Sequence, residues 1–333
     1  MIKQTIKNLL GEKNVLRINH IRTSIRRTRI VSRIISARAA WKSSGVTYTL
    51  NQNKTVSVLM SVHMLEKALV MGNEKYLNAV KYHSIIENIS QLIESGSSPE
   101  GFNIAGSIAI IKAALSTLSG HEDEKKELES LIMKYDIHER FRGGVERIPM
   151  TEIFSHSNFD FRAFVSSRHS VRRFKNKIVK REVIYDIIRD AEYYPSACNR
   201  QPCKVYFTEN PETISRIKKY IDGFVSPCVH DCLIVTCDRA LLNPAERNDQ
   251  EYINGGIFLG YLVMSIHAHG LASCLFQFLQ VAAKRQSQIR HEFNIPESEV
   301  ISAFIGIGEP EDEVMCACAQ RRPTKEIAVC LDD

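Results

Sequence analysis

The sequence predicts an α+β fold preceded by an all-α region, and a change of pattern along the 333 residues indicates this division. Up to about residue 150, apolar residues recur at helical spacing, apart from one short strand-like run, Val-Thr-Tyr-Thr-Leu. From about residue 158, helical stretches alternate with short runs of β-branched and aromatic residues, which is typical of helices layered on a sheet. We therefore expect two domains, residues 1–150 and 151–333.

The first domain is predicted to consist of helices divided by Ser, Gly and Pro. The expected helices cover about residues 14–42, 55–71, 75–94, 103–120 and 122–136. In the second domain the expected helices are 158–167, 180–193, 211–221, 247–269 and 280–293, and the expected strands are 203–209, 232–237, 272–278 and 300–308.

Positive charge is concentrated at the start of the chain. Residues 1–50 carry eleven Lys and Arg against one acid, Glu12, whereas the whole chain has a net charge of +6. Residues 14–42 combine this charge with apolar positions at helical spacing, so an anionic membrane surface is a candidate partner. A solvated helix face is the alternative. Aromatic residues do not interleave with the arginines, and nucleic acid is therefore not expected to bind.

Two features favour a cytoplasmic protein, with peripheral attachment to a membrane as an alternative. No apolar run reaches the roughly 18–20 residues that a bilayer span needs, and the N-terminus lacks the apolar stretch of a secretory signal. The nine cysteines are odd in number and all follow residue 197, so reduced thiols are expected. Cys232 and Cys237 fall in a predicted buried strand, and we expect no metal site.

The first candidate site residues are Arg168, Ser170 and Arg172, at alternate positions after a predicted helix. Two guanidinium groups and a hydroxyl suit a phosphate, because arginine presents a planar fork of donors and serine adds a neutral one. An arginine-rich surface loop without a ligand is the alternative reading.

A second candidate is the loop of residues 194–202, Tyr-Pro-Ser-Ala-Cys-Asn-Arg-Gln-Pro. The prolines stiffen it and disfavour a helix. Asn199 and Gln201 each offer a donor and an acceptor, which suits the alternating donors and acceptors at the edge of a flavin ring. An ordinary helix-to-strand turn is the alternative. Further on, the Asn254-Gly255-Gly256 run opens a long apolar helix that should end at Gly270.

These segments together resemble the FMN-dependent nitroreductase family over about residues 161–328. The family pattern has an Arg-x-Ser-x-Arg-x-Phe opening, matched here up to Phe174, and a Pro-Ser-x-x-Asn-x-Gln-Pro loop, matched by residues 195–202. A Gly-led apolar helix ending in Gly-Leu-Gly-Ser follows, and then a Gly-x-Gly-x-Pro turn and a basic tail. Here these correspond to residues 256–273, 306–310 and 321–323.

The resemblance implies a nitroreductase-like fold with a mixed sheet flanked by helices, a homodimer with the cofactor at its interface, and FMN as that cofactor. The implied FMN-binding residues are Arg168, His169, Ser170, Arg172, Pro195, Ser196, Ala197, Asn199, Gln201, Arg321 and Arg322.

The implied activity is a ping-pong transfer of hydride from NAD(P)H through flavin N5 to a small organic acceptor of the nitro, quinone or enone type. The chain departs from the family pattern at Asn254, Ala272 and Leu275, which affects the choice of reductant and acceptor. Alternatives are a different flavin reaction, such as dehydrogenation or dehalogenation, and a membrane- or partner-binding protein in which the basic helical domain is the working part.

Overall fold

The computed structural model describes residues 50–71, 80, 82–115, 118, 121–135, 141, 143–221, 231–243, 249–276 and 282–331. The predicted basic helix at residues 14–42, and with it the candidate membrane-binding surface, lies outside the described residues. None of the helices in these ranges is long and apolar enough to cross a bilayer.

The described part of the first domain is helical, as predicted. Four helices bury one shared apolar cluster that includes Val58, Leu65, Ile89, Ile111 and Leu128. Each helix contributes residues three or four positions apart, which is the spacing that places side chains on one helix face. The helices are α1 (Leu50–Met71), α2 (Tyr82–Glu94), α3 (Phe102–Ala114) and α4 (Glu122–Tyr135).

Helix α1 is buried on more than one side. Val58 and Leu65 belong to the helical cluster, whereas Val56 and Leu59 are also buried but lie outside it. On this second side, the sulfur of Met60 accepts a hydrogen bond of 3.2 Å from the side-chain amide of Asn243. The helix also lies close to two short 3-10 turns of the second domain, Arg239–Leu241 and Ala197–Asn199. Helix α1 therefore connects the two regions of the chain.

The second region is a mixed α+β structure, which confirms the predicted fold class. Its four strands form one antiparallel sheet in the order β1-β2-β4-β3. The predicted elements are all present, with ends that differ by a few residues. The region begins with a short helix that was not predicted, α5 (Met150–Ile153). The predicted elements are α6 (Phe161–Ser167), α7 (Arg181–Ala191), β1 (Cys203–Thr208), α8 (Pro211–Lys218), β2 (Asp231–Asp238), α9 (Gln250–Ala268), β3 (Ala272–Phe276), α10 (Ala282–Glu292) and β4 (Glu299–Gly308).

The central strands β2 and β4 are covered on both faces. Ile234 and Phe304 belong to an apolar cluster on one side, to which α8 and α10 contribute. Leu233 and Ile305 belong to a second cluster, to which α7 and α9 contribute. Both faces are apolar because both are covered, and these strands consequently show little polar alternation in the sequence.

Helix α9 packs very closely on the sheet at one glycine. A Cβ atom built on Gly255 would lie 2.4 Å from the hydroxyl oxygen of Ser302 on β4. Any side chain larger than hydrogen would therefore push the helix away from the strand. At its other end the helix is followed by Gly270, whose φ of +71° is the left-handed conformation expected of a residue that ends a helix.

We predict that Gly255→Ala lowers the free energy of unfolding by about 1–3 kcal/mol, because the added methyl group overpacks the contact with Ser302. Equilibrium denaturation by urea measures this change. Introducing Ser302→Gly in the same chain should recover part of the loss, since it removes both Ser302 atoms that the methyl group meets.

Gly106 in α3 is the matched control, because a Cβ there meets only the Phe102 ring at 3.8 Å. Gly106→Ala should stabilise the protein by about 0.5–1 kcal/mol through its higher helix propensity. A Gly255→Ala protein as stable as the wild type would mean that α9 and β4 are not in the close contact described.

Candidate functional site

The first predicted site segment lies along an edge of the sheet. After α6 the chain leaves the helix at Arg168 and runs beside the edge strand β3. Ser170 pairs with Ser273 in a parallel bridge, and the Val171 amide donates to the Ser273 carbonyl at 3.0 Å. Phe174 is buried and anchors the end of the segment, because a Cβ on Gly308 would lie 2.9 Å from its ring. The main chain of residues 168–174 is therefore held in place.

The charges of Arg168 and Arg172 both affect Cys274, which lies in this edge strand. Burial raises the pKa of the Cys274 thiol, and the positive charges of Arg172 and Arg168 oppose that rise. Arg172 is exposed and its guanidinium donates to the Ser170 carbonyl at 3.4 Å, while His169 and Ser170 are also exposed. The segment thus presents two guanidinium groups and a hydroxyl at one accessible edge.

The basic residues that follow are paired with acids. Arg173 lies 3.1 Å from Glu311, Lys175 lies 2.7 Å from Asp312, and Lys177 lies 2.6 Å from Glu309. These pairs join the segment to the chain after β4.

The second predicted site segment contains strained backbone. Cys198, Asn199 and Gln201 have φ values of 50°, 50° and 48°, a left-handed conformation that non-glycine residues seldom adopt. Such a conformation costs roughly 1–2 kcal/mol per residue and is found most often at functional sites. The loop therefore has a shape that its local sequence does not favour, and tertiary contacts hold it.

Hydrogen bonds that involve side chains hold this loop. The Ala197 amide donates to the side-chain oxygen of Asn254 at 3.3 Å, and the Gln201 amide donates to the Ser196 hydroxyl at 3.0 Å. The buried Arg200 guanidinium donates to the Ala197 carbonyl at 3.0 Å. At the base of the loop, the Cys203 amide donates to the Tyr194 hydroxyl at 3.3 Å.

The loop directs its amide side chains outward. Gln201 donates to the side-chain oxygen of Asn199 at 3.1 Å, and Asn199 is exposed. Pro195 is exposed, and Ser196 and Ala197 are half-buried. This arrangement offers a row of polar groups on a rigid support, as expected for recognition of a planar ring edge.

Asn254 is a site residue whose role the sequence did not reveal. In the sequence it is a polar residue at the start of an apolar helix and a departure from the family pattern, and neither feature indicates a contact with the loop. In the structure it is buried, accepts from Ala197 and donates to the Gln250 carbonyl at 3.1 Å. It thereby ties the strained loop to α9 across 57 residues of chain.

The two predicted segments lie at opposite ends of the sheet. Residues 195–202 precede Cys203, where β1 begins, whereas Ser170 lies beside the start of β3, which pairs with the end of β4. The strands β1 and β3 are also opposite edges. Since β1 has six residues, the segments are on the order of 20 Å apart. One chain therefore does not bring the two segments together.

The basic tail residues Arg321 and Arg322 are exposed on an extended segment after β4. Arg321 donates to the carbonyl groups of its neighbours Ala319 and Gln320. Contacts among the described residues do not join either arginine to residues 168–172, so their predicted place in the phosphate site stays a prediction.

The donor chemistry fits FMN in two parts. Arg168, Ser170 and Arg172 suit its phosphate, and the amides of Asn199 and Gln201 suit the polar edge of its ring. By contrast, the described ranges contain no cluster of three or more His, Cys, Asp or Glu side chains that could hold a metal ion.

Residues 165–227 match the model of the nitroreductase family, which confirms the resemblance over that segment. No curated protein matches the chain. Solved structures with a similar fold include a nitroreductase family protein from Streptococcus pneumoniae, with 18% identity and a TM-score of 0.44. The match covers 51% of this chain and 100% of that one.

An FMN-dependent nitroreductase from Clostridium difficile has 21% identity and a TM-score of 0.40, with 46% of this chain and 90% of that one covered. An enone reductase of a gut-bacterial fatty acid saturation metabolism has 19% identity and a TM-score of 0.45, with 52% and 99% covered.

We predict that Asn254→Ala lowers the free energy of unfolding by about 1–3 kcal/mol, because the half-buried Ala197 amide loses its acceptor. The variant should also bind FMN more weakly, since the loop of residues 195–201 is no longer held. Urea denaturation and fluorescence titration with FMN measure the two effects. Asn254→Asp retains an acceptor oxygen and should recover the FMN affinity more than the stability. Wild-type values of both in Asn254→Ala would contradict this role.

Proposed function

We propose that the nitroreductase-family segment at residues 165–227 makes this chain an FMN-dependent oxidoreductase. The observation that carries the proposal is that this one segment contains both the Arg168–Arg172 edge and the strained loop of residues 195–201. Left-handed backbone at non-glycine residues is energetically unfavourable and occurs most often at functional sites. Ligand recognition would account for this conformation in the loop.

In this proposal the chain binds and orients FMN, which supplies hydride-transfer chemistry when bound. Arg168, Ser170 and Arg172 would hold the phosphate and the pyrimidine side of the ring, with His169 beside them, and Arg321 or Arg322 would complete the charge around the phosphate. Pro195, Ser196 and Ala197 shape the wall beside the ring, and Asn199 and Gln201 hydrogen-bond to its polar groups. The positive charges of these arginines near the ring would stabilise the negative charge that the flavin acquires on reduction.

NAD(P)H is the proposed reductant and a small nitro, quinone or enone compound the proposed acceptor. Both would occupy the same open ring face in turn, which gives a ping-pong cycle. The fold has no need of a separate acid, base or nucleophile for this reaction, because the residues of the site position the reactants and the cofactor carries the electrons.

The separation of the two segments supports a homodimer as the working unit. Helix α9 buries Phe258 and Leu262 against its own domain, yet Ile253, Ile257 and Tyr261, each four residues apart, are 42%, 36% and 43% exposed on another face. Exposed apolar residues in a row along one helix indicate a contact surface. A second copy of the chain would cover this face.

A two-fold axis through the middle of α9 would pair the helix with its mate in the antiparallel direction. The loop of residues 195–201 adjoins the N-terminal end of α9 through Asn254. At the other end of the helix, His267 contacts Ser167, directly before the Arg168–Arg172 edge, at 2.8 Å. Antiparallel pairing would therefore bring the loop of one protomer to the arginine edge of the other and complete two equal sites.

We predict that Ile257→Glu separates the dimer, because each copy of the interface would bury an unpaired charge opposite its mate. The dimer dissociation constant should rise by about 100-fold or more, as measured by analytical ultracentrifugation. Met133→Glu is the control, since Met133 is 88% exposed on the helical domain and should leave the dimer intact. A monomeric wild-type protein, or a stable Ile257→Glu dimer, would contradict the proposed interface.

We predict that Arg168→Ala weakens FMN binding by about tenfold to a hundredfold, the usual effect of losing a hydrogen bond to a charged group. Fluorescence titration of the apoprotein measures it. Arg173→Ala is the matched control five residues along, because Arg173 is exposed and paired with Glu311. Equal losses in the two variants would mean that the effect is general electrostatics and that Arg168 has no specific place at the phosphate.

The proposed function is tested by the visible spectrum of the purified protein, the identity of the released chromophore and turnover with NADH and NADPH. We expect flavin bands, FMN on release, and oxidation of at least one nicotinamide in the presence of a quinone or nitro acceptor. Bound FMN without any nicotinamide oxidation would favour a different flavin reaction, such as dehydrogenation. A colourless protein that FMN does not reconstitute would overturn the proposal.

A further inference from the structure

Two cysteines face each other across the first pair of strands. Cys203 begins β1 and is the register partner of Cys237 in β2. The Asp238 amide donates to the Pro202 carbonyl at 2.8 Å, while the Cys203 amide donates to Tyr194 and not across the ladder. These bonds identify Cys203 and Cys237 as a non-hydrogen-bonded pair, in which the Cα atoms are about 4.5 Å apart, and this lies within the range that a disulfide spans.

The two thiols also differ in reactivity. They hydrogen-bond to each other, which lowers the pKa of Cys203 and raises that of Cys237. Cys203 is half-buried and Cys237 is buried. Cys203 is thus the sulfur that a small oxidant reaches and that more readily becomes a thiolate. In the same strand, the buried Cys232 has Thr208 as its register partner, so no thiol lies opposite it.

We propose that Cys203 and Cys237 form a redox-modification site that converts reversibly between a dithiol and a disulfide. The oxidant is a hydroperoxide. The Cys203 thiolate attacks the peroxide, the O–O bond breaks, an alcohol or water leaves, and a sulfenic acid forms on Cys203. The Cys237 sulfur then attacks the sulfenic sulfur, the S–O bond breaks as the S–S bond forms, and the Cys237 proton leaves with the hydroxyl as water. The two thiols together lose two electrons, and a thiol reductant returns them.

The pair lies beneath the strained loop. Tyr194 and Cys203 bracket residues 195–202, and a Cβ on Gly255 would lie 4.0 Å from the Cβ of Cys237, one residue from the loop-holding Asn254. A disulfide would therefore cross-link the base of the loop. As a consequence that rests on the proposed function, FMN should dissociate several-fold more slowly from the oxidised protein, because the loop opens less often.

The test uses the full-length protein, treated with hydrogen peroxide and then blocked, digested with trypsin and analysed without reduction. We expect a cross-link between the peptide carrying Cys203 and the peptide carrying Cys237, about 2 Da lighter than the sum of the two, that disappears with dithiothreitol. The second peptide also contains Cys228 and Cys232, so fragmentation has to assign the bond.

Cys203→Ser and Cys237→Ser should each abolish this cross-link, whereas Cys232→Ser, the buried control in the same strand, should keep it. The wild-type cross-link is decisive even if a variant does not fold. Unmodified Cys203 and Cys237 after treatment, or oxidation of Cys203 to sulfinic acid without a cross-link, would overturn the proposal. The cross-link is measured without FMN, so failure of this proposal can be distinguished from failure of the proposed enzyme function.

Discussion

The antiparallel register of the four-stranded sheet is the constraint on which the arrangement of the site depends. It fixes the start of β1 at one end of the sheet and the start of β3 at the other, on opposite edges. The loop before β1 and the arginine segment beside β3 therefore lie at opposite ends of the sheet as well. In the proposed function a single chain consequently carries two half-sites, and neither has the whole donor set proposed for FMN.

Helix α9 adjoins both separated segments, the loop before β1 at one end and the arginine segment at the other. Its inner face packs on the sheet so closely that Gly255 has no room for a side chain, and Asn254 fixes the loop from the same turn. Its outer face keeps Ile257 and Tyr261 accessible. In the proposed dimer the same helix would support one half-site, adjoin the other and form the contact between protomers. This accounts for a helix that is apolar on nearly every side.

Much of the fold could be predicted from the sequence because its signals are local. Runs such as Cys-Leu-Ile-Val-Thr-Cys indicate strands, and Gly270 ends a helix by the conformation that glycine permits. Strand register and the left-handed φ of Cys198 depend instead on contacts between distant residues, such as Asn254 with Ala197, which no local pattern encodes. The distance between the two half-sites within one chain could not be predicted from the sequence, because it too depends on strand register. Arg321 and Arg322 stay predictions, since the tail has no described contact that positions them.

The most direct test of this account is FMN binding by mixed dimers. Arg168→Ala damages the arginine edge and Asn199→Gly damages the loop while keeping its left-handed backbone accessible. If each site is shared between protomers, co-refolding the two weakly binding variants at equal amounts restores tight binding at about a quarter of the sites, since one site of each mixed dimer is intact. If both halves of a site come from one chain, every site in the mixture carries a defect. Absence of tight FMN binding in verified mixed dimers would therefore contradict the central claim.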